Sequence, residues 1–350
     1  MLILMIALLY IGSMIVLANI EQVRGESHPL LTMMQVGLVL LIAVWVINGV
    51  AFLVVSPEKV TDSEFAIQLQ RIDRAGVIFF ILLGSVAIVA MIRLIRSSSP
   101  HQWLEQYLYD KSEDRLYAYD STLSVHKLAI MLAIAQVVSV VWTFTLSGGV
   151  GGLDLSYDTP LSALADLAMS AVLYTTLALL GVGWLSRRNI RDVLFRLSLR
   201  FPSLQDLMLG MVMAIILYGM SRVLSDIWVA NVSSDVLEQQ TAASQQLFNA
   251  FNYSLILGLL LALLTGISEE ILFRGALQPV FGIIPTSIFF TIIHIQYTLT
   301  PATIIIFIVS LGFGWLRWRF NTTSAIIAHI IYNFIPFLLY TLATNSGALQ

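Results

Sequence analysis

Apolar runs long enough to cross a membrane recur along this chain from one end to the other. Windows around 1–20, 30–55, 75–95, 128–147, 161–186, 206–225, 252–278, 285–299, 302–316 and 323–343 reach or approach the length required, the eighth and ninth being short. A spanning helix needs about 20 apolar residues. Backbone polar groups inside hydrocarbon must be satisfied within the segment, and the runs lack the alternation of a membrane barrel, so helices are the solution. Only 11% of the 350 residues are charged and the mean hydropathy is +0.87; soluble domains carry about 25% charged residues. The expected fold is therefore all-α, a polytopic membrane protein of about ten transmembrane helices. The first run lacks a basic leader and, at about 19 residues, exceeds the core of a signal peptide, so it reads as a retained span.

Orientation follows the basic residues. Arg187, Arg188, Arg191, Arg196 and Arg200 fall after the fifth window, Arg93, Arg96, Lys111, Arg115 and Lys127 between the third and fourth, and Arg317 and Arg319 after the ninth. With ten spans these three clusters share one side, expected to be cytoplasmic, and both termini lie opposite. Lys59, Arg71 and Arg74 fit this scheme poorly, diluted by Glu58, Asp62, Glu64 and Asp73. The long polar connection 97–126 reads as a surface helix on the cytoplasmic face, and 226–250 as a helical cap on the other. A break in composition near Pro202 divides the chain. Residues 1–202 form an N-terminal transmembrane region without a buried polar cluster, and residues 203–345 a membrane domain that has one. The net charge of −3 gives no reason to expect a nucleic-acid partner, and the absence of cysteine excludes disulfides, thiol nucleophiles and cysteine-ligated metal.

The polar cluster begins at "ISEEILFRGAL", which sets Glu269, Glu270 and Arg274 into a run whose preceding 16 residues carry no charge. Charged groups at bilayer depth cost a few kcal/mol on insertion scales; they face a bundle interior and mark function. His294 and His329 interrupt later apolar runs, "FFTIIHIQY" and "SAIIAHIIYNF". Pro279 and Pro285 bracket a turn; with Gln278 as the last helical residue before it, Glu269 and His294 each lie nine residues from that turn, about 14 Å down two antiparallel helices. A cap at Asn321, Thr322 or Ser324 puts His329 about 10 Å and Asn333 about 15 Å into the last helix. One stratum thus holds a carboxylate, two imidazoles and an amide. Glu270 and Arg274, spaced i,i+4, are neighbours on one helix face and form a structural ion pair, since an unpaired buried ion is very costly. Glu269, about 100° further round the helix, is left facing a cavity, where a carboxylate can take a proton from water.

"EE-x-x-x-R" at 269–274, "F-x-x-x-H" at Phe290 to His294 and "H-x-x-x-N" at His329 to Asn333 resemble, as an ordered set, the CPBP family. That family comprises the type II CAAX prenyl proteases and the bacteriocin-processing, Abi-like membrane proteins, and the resemblance covers roughly 205–345. It implies an intramembrane endopeptidase opening to the cytosol, in which Glu269 activates water, His294 assists, His329 and Asn333 stabilise the oxyanion, and Glu270 with Arg274 is structural. The substrate would be a peptide or a membrane protein and the location a multi-pass place in the cell membrane, expected to be a prokaryotic plasma membrane. Glu269, His294 and His329 are also the candidate ligands for a divalent metal such as zinc, which accepts such donors with one position open. The H-E-x-x-H pattern is missing and asparagine is a poor zinc ligand, so a metal-free, Glu-activated water accounts better for Asn333. Two alternatives remain: an ion- or proton-coupled transporter, since such chains of carboxylates and imidazoles also relay protons, and a non-catalytic Abi-like scaffold.

Overall fold

The structure is a computed structural model that describes residues 2–55, 72–96, 106, 117–148, 156–234, 237–238, 241, 245–246, 249–251, 254–294 and 301–346. Most of the connection 97–126, and with it the expected surface helix, lies outside the described residues; of 226–250, where a cap is expected, the first four residues continue the helix Leu204–Val229, and 235–236, 239–240, 242–244 and 247–248 lie outside the described residues. The elements are α1 (Leu2–Arg24), α2 (Pro29–Val54), α3 (Arg74–Arg96), α4 (Ser124–Ser147), α5 (Pro160–Gly181), a short α6 (Ile190–Arg196) and α7 (Leu204–Val229). After these come α8 (Leu255–Glu270), a π-helical segment (Ile271–Leu277), a one-turn α9 (Gln278–Phe281), α10 (Ile283–Ile293), α11 (Pro301–Arg319) and α12 (Thr322–Asn345). Among the described residues nine helical spans are long and apolar enough to cross a membrane, and the 11-residue α10 is a shorter tenth apolar helix. Leu9, Met33, Val54, Ile256 and many other large apolar side chains point outward. An apolar exterior of that extent is the surface of a protein solvated by lipid. The chain is an all-α polytopic membrane protein.

Two of the basic clusters, that at 187–200 and that at Arg317, meet at one end of the bundle. The Arg196 guanidinium lies 4.1 Å from the centroid of the Tyr117 ring, and Arg317 is close enough to repel it. Arg200 reaches Asp206 at the start of α7, Nη2 to Oδ1, at 2.8 Å. Fully buried Asp206 also accepts from Ser203 Oγ (2.6 Å), Asn321 Nδ2 and Ser324 Oγ (both 2.8 Å). One carboxylate thereby ties the N-terminus of α7 to that of α12 and fixes the register of the helix carrying His329. The Asn321 side chain caps α12 by accepting from the Ser324 N–H. Pro336 sits inside α12, which continues to Asn345.

The helix pair that carries the site is packed closely. A Cβ on Gly266 would stand 2.7 Å from Ile330 Cγ1 and 3.0 Å from its backbone nitrogen, so α8 lies almost backbone to backbone on α12. In a membrane, association depends on such close van der Waals approach through small residues. The first half of the chain is held differently, by apolar clusters such as Ile42, Phe80, Met91 and Met131, with single polar stitches. Buried Asn19 of α1 donates to the Leu180 carbonyl at the end of α5 at 3.1 Å.

Candidate active site

Glu269 and Glu270 close the last turn of α8, and from Ile271 the helix widens into π geometry, the Gln278 N–H reaching the Phe273 carbonyl five residues back. Pro279 explains part of this. It has no N–H to give the Gly275 carbonyl four residues earlier, and its ring crowds that carbonyl. The Gly275 carbonyl instead accepts from Arg196 Nη1 at 3.1 Å. A Cβ on Gly275 would meet Leu197 Cδ2 at 3.0 Å, so glycine lets the loop after α6 come this close. The turn beyond also differs from the proline-bracketed one expected from sequence. Pro279 lies within the first turn of α9 and Pro285 within that of α10; the reversal is Gly282 alone, at φ 84°, where glycine is at ease. Such π-bulges are frequent at functional sites.

On one side of the helix, Arg274 Nε stands 3.1 Å from Glu270 Oε2 with both side chains wholly buried. The contact is an ion pair rather than an aligned hydrogen bond, since neither atom has a hydrogen-bond partner. Arg274 also donates to Ser310 Oγ of α11 at 2.9 Å and lies 5.1 Å from the Phe290 ring centroid. Glu270 does more than balance Arg274. Its Oε1 is 2.9 Å from His329 Nδ1, while the Phe313 ring stacks on the imidazole at 4.8 Å. A carboxylate at Nδ1 puts the proton there and leaves Nε2 as the working nitrogen. His294 is set in the same way by a main-chain carbonyl, with Nδ1 2.7 Å from Phe290 O.

Both Nε2 atoms face Glu269. Glu269 Oε2 lies 4.0 Å from His294 Nε2 and 4.0 Å from His329 Nε2. That oxygen is buried and has no hydrogen-bond partner. Beside it opens a cavity of about 200 Å³ lined by Leu167, Ser170, Ala171, Tyr174, Thr265, Ser268, Glu269, Ile293 and His294. Water occupies about 30 Å³ in the liquid, so several waters fit. Asn333 does not contact Glu269: its Nδ2 donates to Thr265 Oγ1 at 3.0 Å, one turn earlier on α8. Sequence reasoning missed Thr265, Ser310, Phe313 and Tyr174. Thr265 and Ser310 each interrupt an apolar run on the face of a site residue or its partner, a usable signal; Tyr174 belongs to α5, and nothing local marks it.

The spacing as it stands is wider than a tetrahedral zinc requires. Tetrahedral zinc, with bonds of about 2.0–2.1 Å, holds its ligand atoms about 3.3 Å apart; both Glu269-to-imidazole distances are 4.0 Å. Among the described residues no three His, Asp or Glu side chains are grouped to hold a metal ion.

Fold and site together define a class: a polytopic helical membrane protein with ionisable side chains from three of its helices gathered inside the bundle. A comparison with known families bears on the segment that carries them. Residues 251–335 match the Rce1-like family, described as type II CAAX prenyl endopeptidase Rce1-like, and so form a domain consistent with a CPBP family intramembrane protease. No curated protein and no solved structure matches the chain. The matched segment contains Glu269, Glu270, Arg274, His294, His329 and Asn333, but neither Tyr174 nor Asp206.

Proposed function

We propose that this protein is an intramembrane endopeptidase that hydrolyses a peptide bond with a water activated by Glu269. The observation that carries the reading is the unpartnered Glu269 Oε2, 4.0 Å from the Nε2 atoms of two imidazoles whose Nδ1 protons are already committed elsewhere. Such a gap is too long for a direct hydrogen bond and right for a bridging water about 2.8 Å from each side. Three acceptors face one another there and water brings two hydrogens, so one further proton completes the set. Charge asks for the same proton. Glu270 and Arg274 cancel, and Glu269 leaves one negative charge that a proton on an imidazole offsets.

The chemistry then balances. Water oxygen attacks the scissile carbonyl carbon while Glu269 takes its proton, with His294 holding the water. Protonated His329 donates from Nε2 to the oxyanion, held by Glu270 and the Phe313 stack, and Asn333 offers its remaining N–H. The C–N bond breaks as Glu269 passes its proton to the departing amine. The arginine-rich end of the bundle is the side we assign to the cytoplasm, in the plasma membrane, and a peptide or membrane protein is the substrate. The Rce1-like match of residues 251–335 agrees with this reaction type.

The test is cleavage of a peptide library by purified full-length protein, beside Glu269→Gln and His294→Ala. Both variants should stay folded and lose cutting. Cutting retained by Glu269→Gln overturns the mechanism, and ion-coupled flux in liposomes without any cleavage favours a transporter.

A further inference from the structure

A second cavity, far larger than the one at Glu269, lies between α1–α5 and the outer faces of the π-helical segment and α10, with a volume of about 1970 Å³. Small-molecule pockets span about 300–1,000 Å³, so it is roughly twice the upper end. Its walls follow α4 from Leu123 to Ser139; at 1.5 Å per residue these are about 24 Å apart, most of the depth of the hydrocarbon. Along that length the lining is mainly aliphatic and aromatic, as at Ile42, Trp45 and Ala133.

One end is different. Arg187, Arg188 and Arg196 line it together, just beyond the end of α5. None of the three has a carboxylate partner among the described residues. Arg188 donates to the Val182 carbonyl and Arg196 to Gly275. The Arg187 Nε is buried with no hydrogen-bond partner. Arg196 is 5% exposed. Among the described residues the acidic side chain lining this end is Asp120, whose Oδ1 is taken by the N–H and hydroxyl of Thr122. His126 is also there, its Nδ1 accepting from the Asp120 N–H. Burial and neighbouring arginines hold two of them below their ordinary range, Arg187 at about 10 and Arg196, with Arg317 also close, at about 9. A buried cation without a counterion, as at Arg196, is unfavourable, and an arginine fork matches phosphate oxygens in particular.

We propose that this cavity binds an anionic phospholipid, its acyl chains in the apolar slot and its phosphate head on Arg187, Arg188 and Arg196. Free phosphate would answer the charge but leave the slot unfilled, whereas an amphiphile answers both, and basic pockets between transmembrane helices do take lipid head groups. The placement has a consequence at the active site. Arg196 holds the Gly275 carbonyl, next to the Arg274 that pairs with Glu270, so an occupied head-group site stiffens the π-helical segment. Binding itself does not depend on the hydrolase reading.

Native mass spectrometry of the full-length protein tests the proposal, after incubation with phosphatidylglycerol, with phosphatidylcholine of the same acyl chains, or with inorganic phosphate. Wild type should retain phosphatidylglycerol over phosphatidylcholine by at least ~10-fold, and millimolar phosphate should not displace it. Arg187→Gln with Arg188→Gln should remove that preference. Ala133→Phe, which fills the slot and spares the arginines, should lower retention of both lipids. Equal retention of the two lipids by wild type, displacement by phosphate, or an unchanged preference in the arginine variant overturns the proposal. The wild-type comparison decides even if a variant fails to fold.

Discussion

Glu269 and Glu270 are consecutive residues of the same chemistry, and the two sides of α8 make opposite use of them. On the Glu270 side the carboxylate holds Arg274 and His329, which are held in turn by Ser310 and the Phe313 ring, with no solvent exposure at the ion pair. On the Glu269 side the carboxylate oxygen has no partner and borders a cavity. A turn of about 100° separates a sealed network from an open one. The difference teaches how one buried helix can hold a satisfied carboxylate and an unsatisfied one side by side. The Coulombic cost of a buried carboxylate is met once, by Arg274 at Glu270, and the second carboxylate is left facing the two imidazoles. His329 joins the sides, its Nδ1 on Glu270 and its Nε2 towards Glu269.

The contrast is broken most strongly by exchanging each carboxylate for its amide. Glu269→Gln should lower peptide cleavage by roughly 10²–10⁴-fold, the usual worth of a general base, with the unfolding midpoint in detergent little changed. Glu270→Gln should do the reverse in emphasis. It strands a buried guanidinium, which costs about 3–5 kcal/mol, and should lower the unfolding midpoint. Removing both charges sharpens the point. Glu270→Leu with Arg274→Leu should recover most of the lost stability, since an apolar pair often replaces a buried ion pair at no cost. It should not recover cleavage, because His329 has still lost the acceptor at Nδ1. Full activity in that double variant would reduce Glu270 to a structural counter-ion.

A smaller effect separates touching the reaction from positioning a group that does. Asn333→Ala should lower cleavage by about 10²–10³-fold if its amide meets the oxyanion. Thr265→Val keeps that amide but removes the oxygen it donates to at 3.0 Å, so the fall should stay below about 10²-fold. The stability change should be near the ~0.6 kcal/mol of an average hydrogen bond between membrane helices. Equal losses in the two variants would place Thr265 itself against the substrate.

Much of this was legible beforehand, for a physical reason. Hydrocarbon forces every span to declare itself as an apolar run, so helix positions and the outliers within them, Glu269, Glu270, Arg274, His294 and His329, stand out without an alignment. Depth counting from Gln278 and Pro285 put Glu269 and His294 level although the turn is shorter than the bracketing prolines suggest, because drawing it in to Gly282 lengthens both helices by similar amounts. What stayed hidden depends on angle rather than depth. The π-helical widening after Glu270 arises from Pro279 together with Arg196, 83 residues earlier in the chain, and no local pattern announces it. The second duty of Glu270, on His329, needs the rotation of α12 about its own axis. Tyr174 enters from α5, in the N-terminal region that showed no polar cluster; that helix supplies one wall of the site cavity.

The smallest expected effect is none at all. A chelator should leave cleavage unchanged, and added zinc should not raise it. The reason lies again in the two sides of α8. For a metal to sit at Glu269, each imidazole nitrogen would have to close on the carboxylate oxygen from 4.0 Å to about 3.3 Å. His294 is held back by the Phe290 carbonyl, at 2.7 Å from Nδ1, and His329 by Glu270 at 2.9 Å and by the Phe313 ring. These same contacts resemble the outer partners that orient metal-bound imidazoles, so partners alone do not decide the matter; the spacing does. A bridging water tolerates 4.0 Å because it adds two hydrogen-bond lengths at an angle, whereas a metal must bring the donors closer. Loss of cleavage on chelation, restored by stoichiometric zinc, would mean that the imidazoles close on Glu269 when a metal binds, and Glu270 would then be the partner that orients a ligand rather than an oxyanion donor.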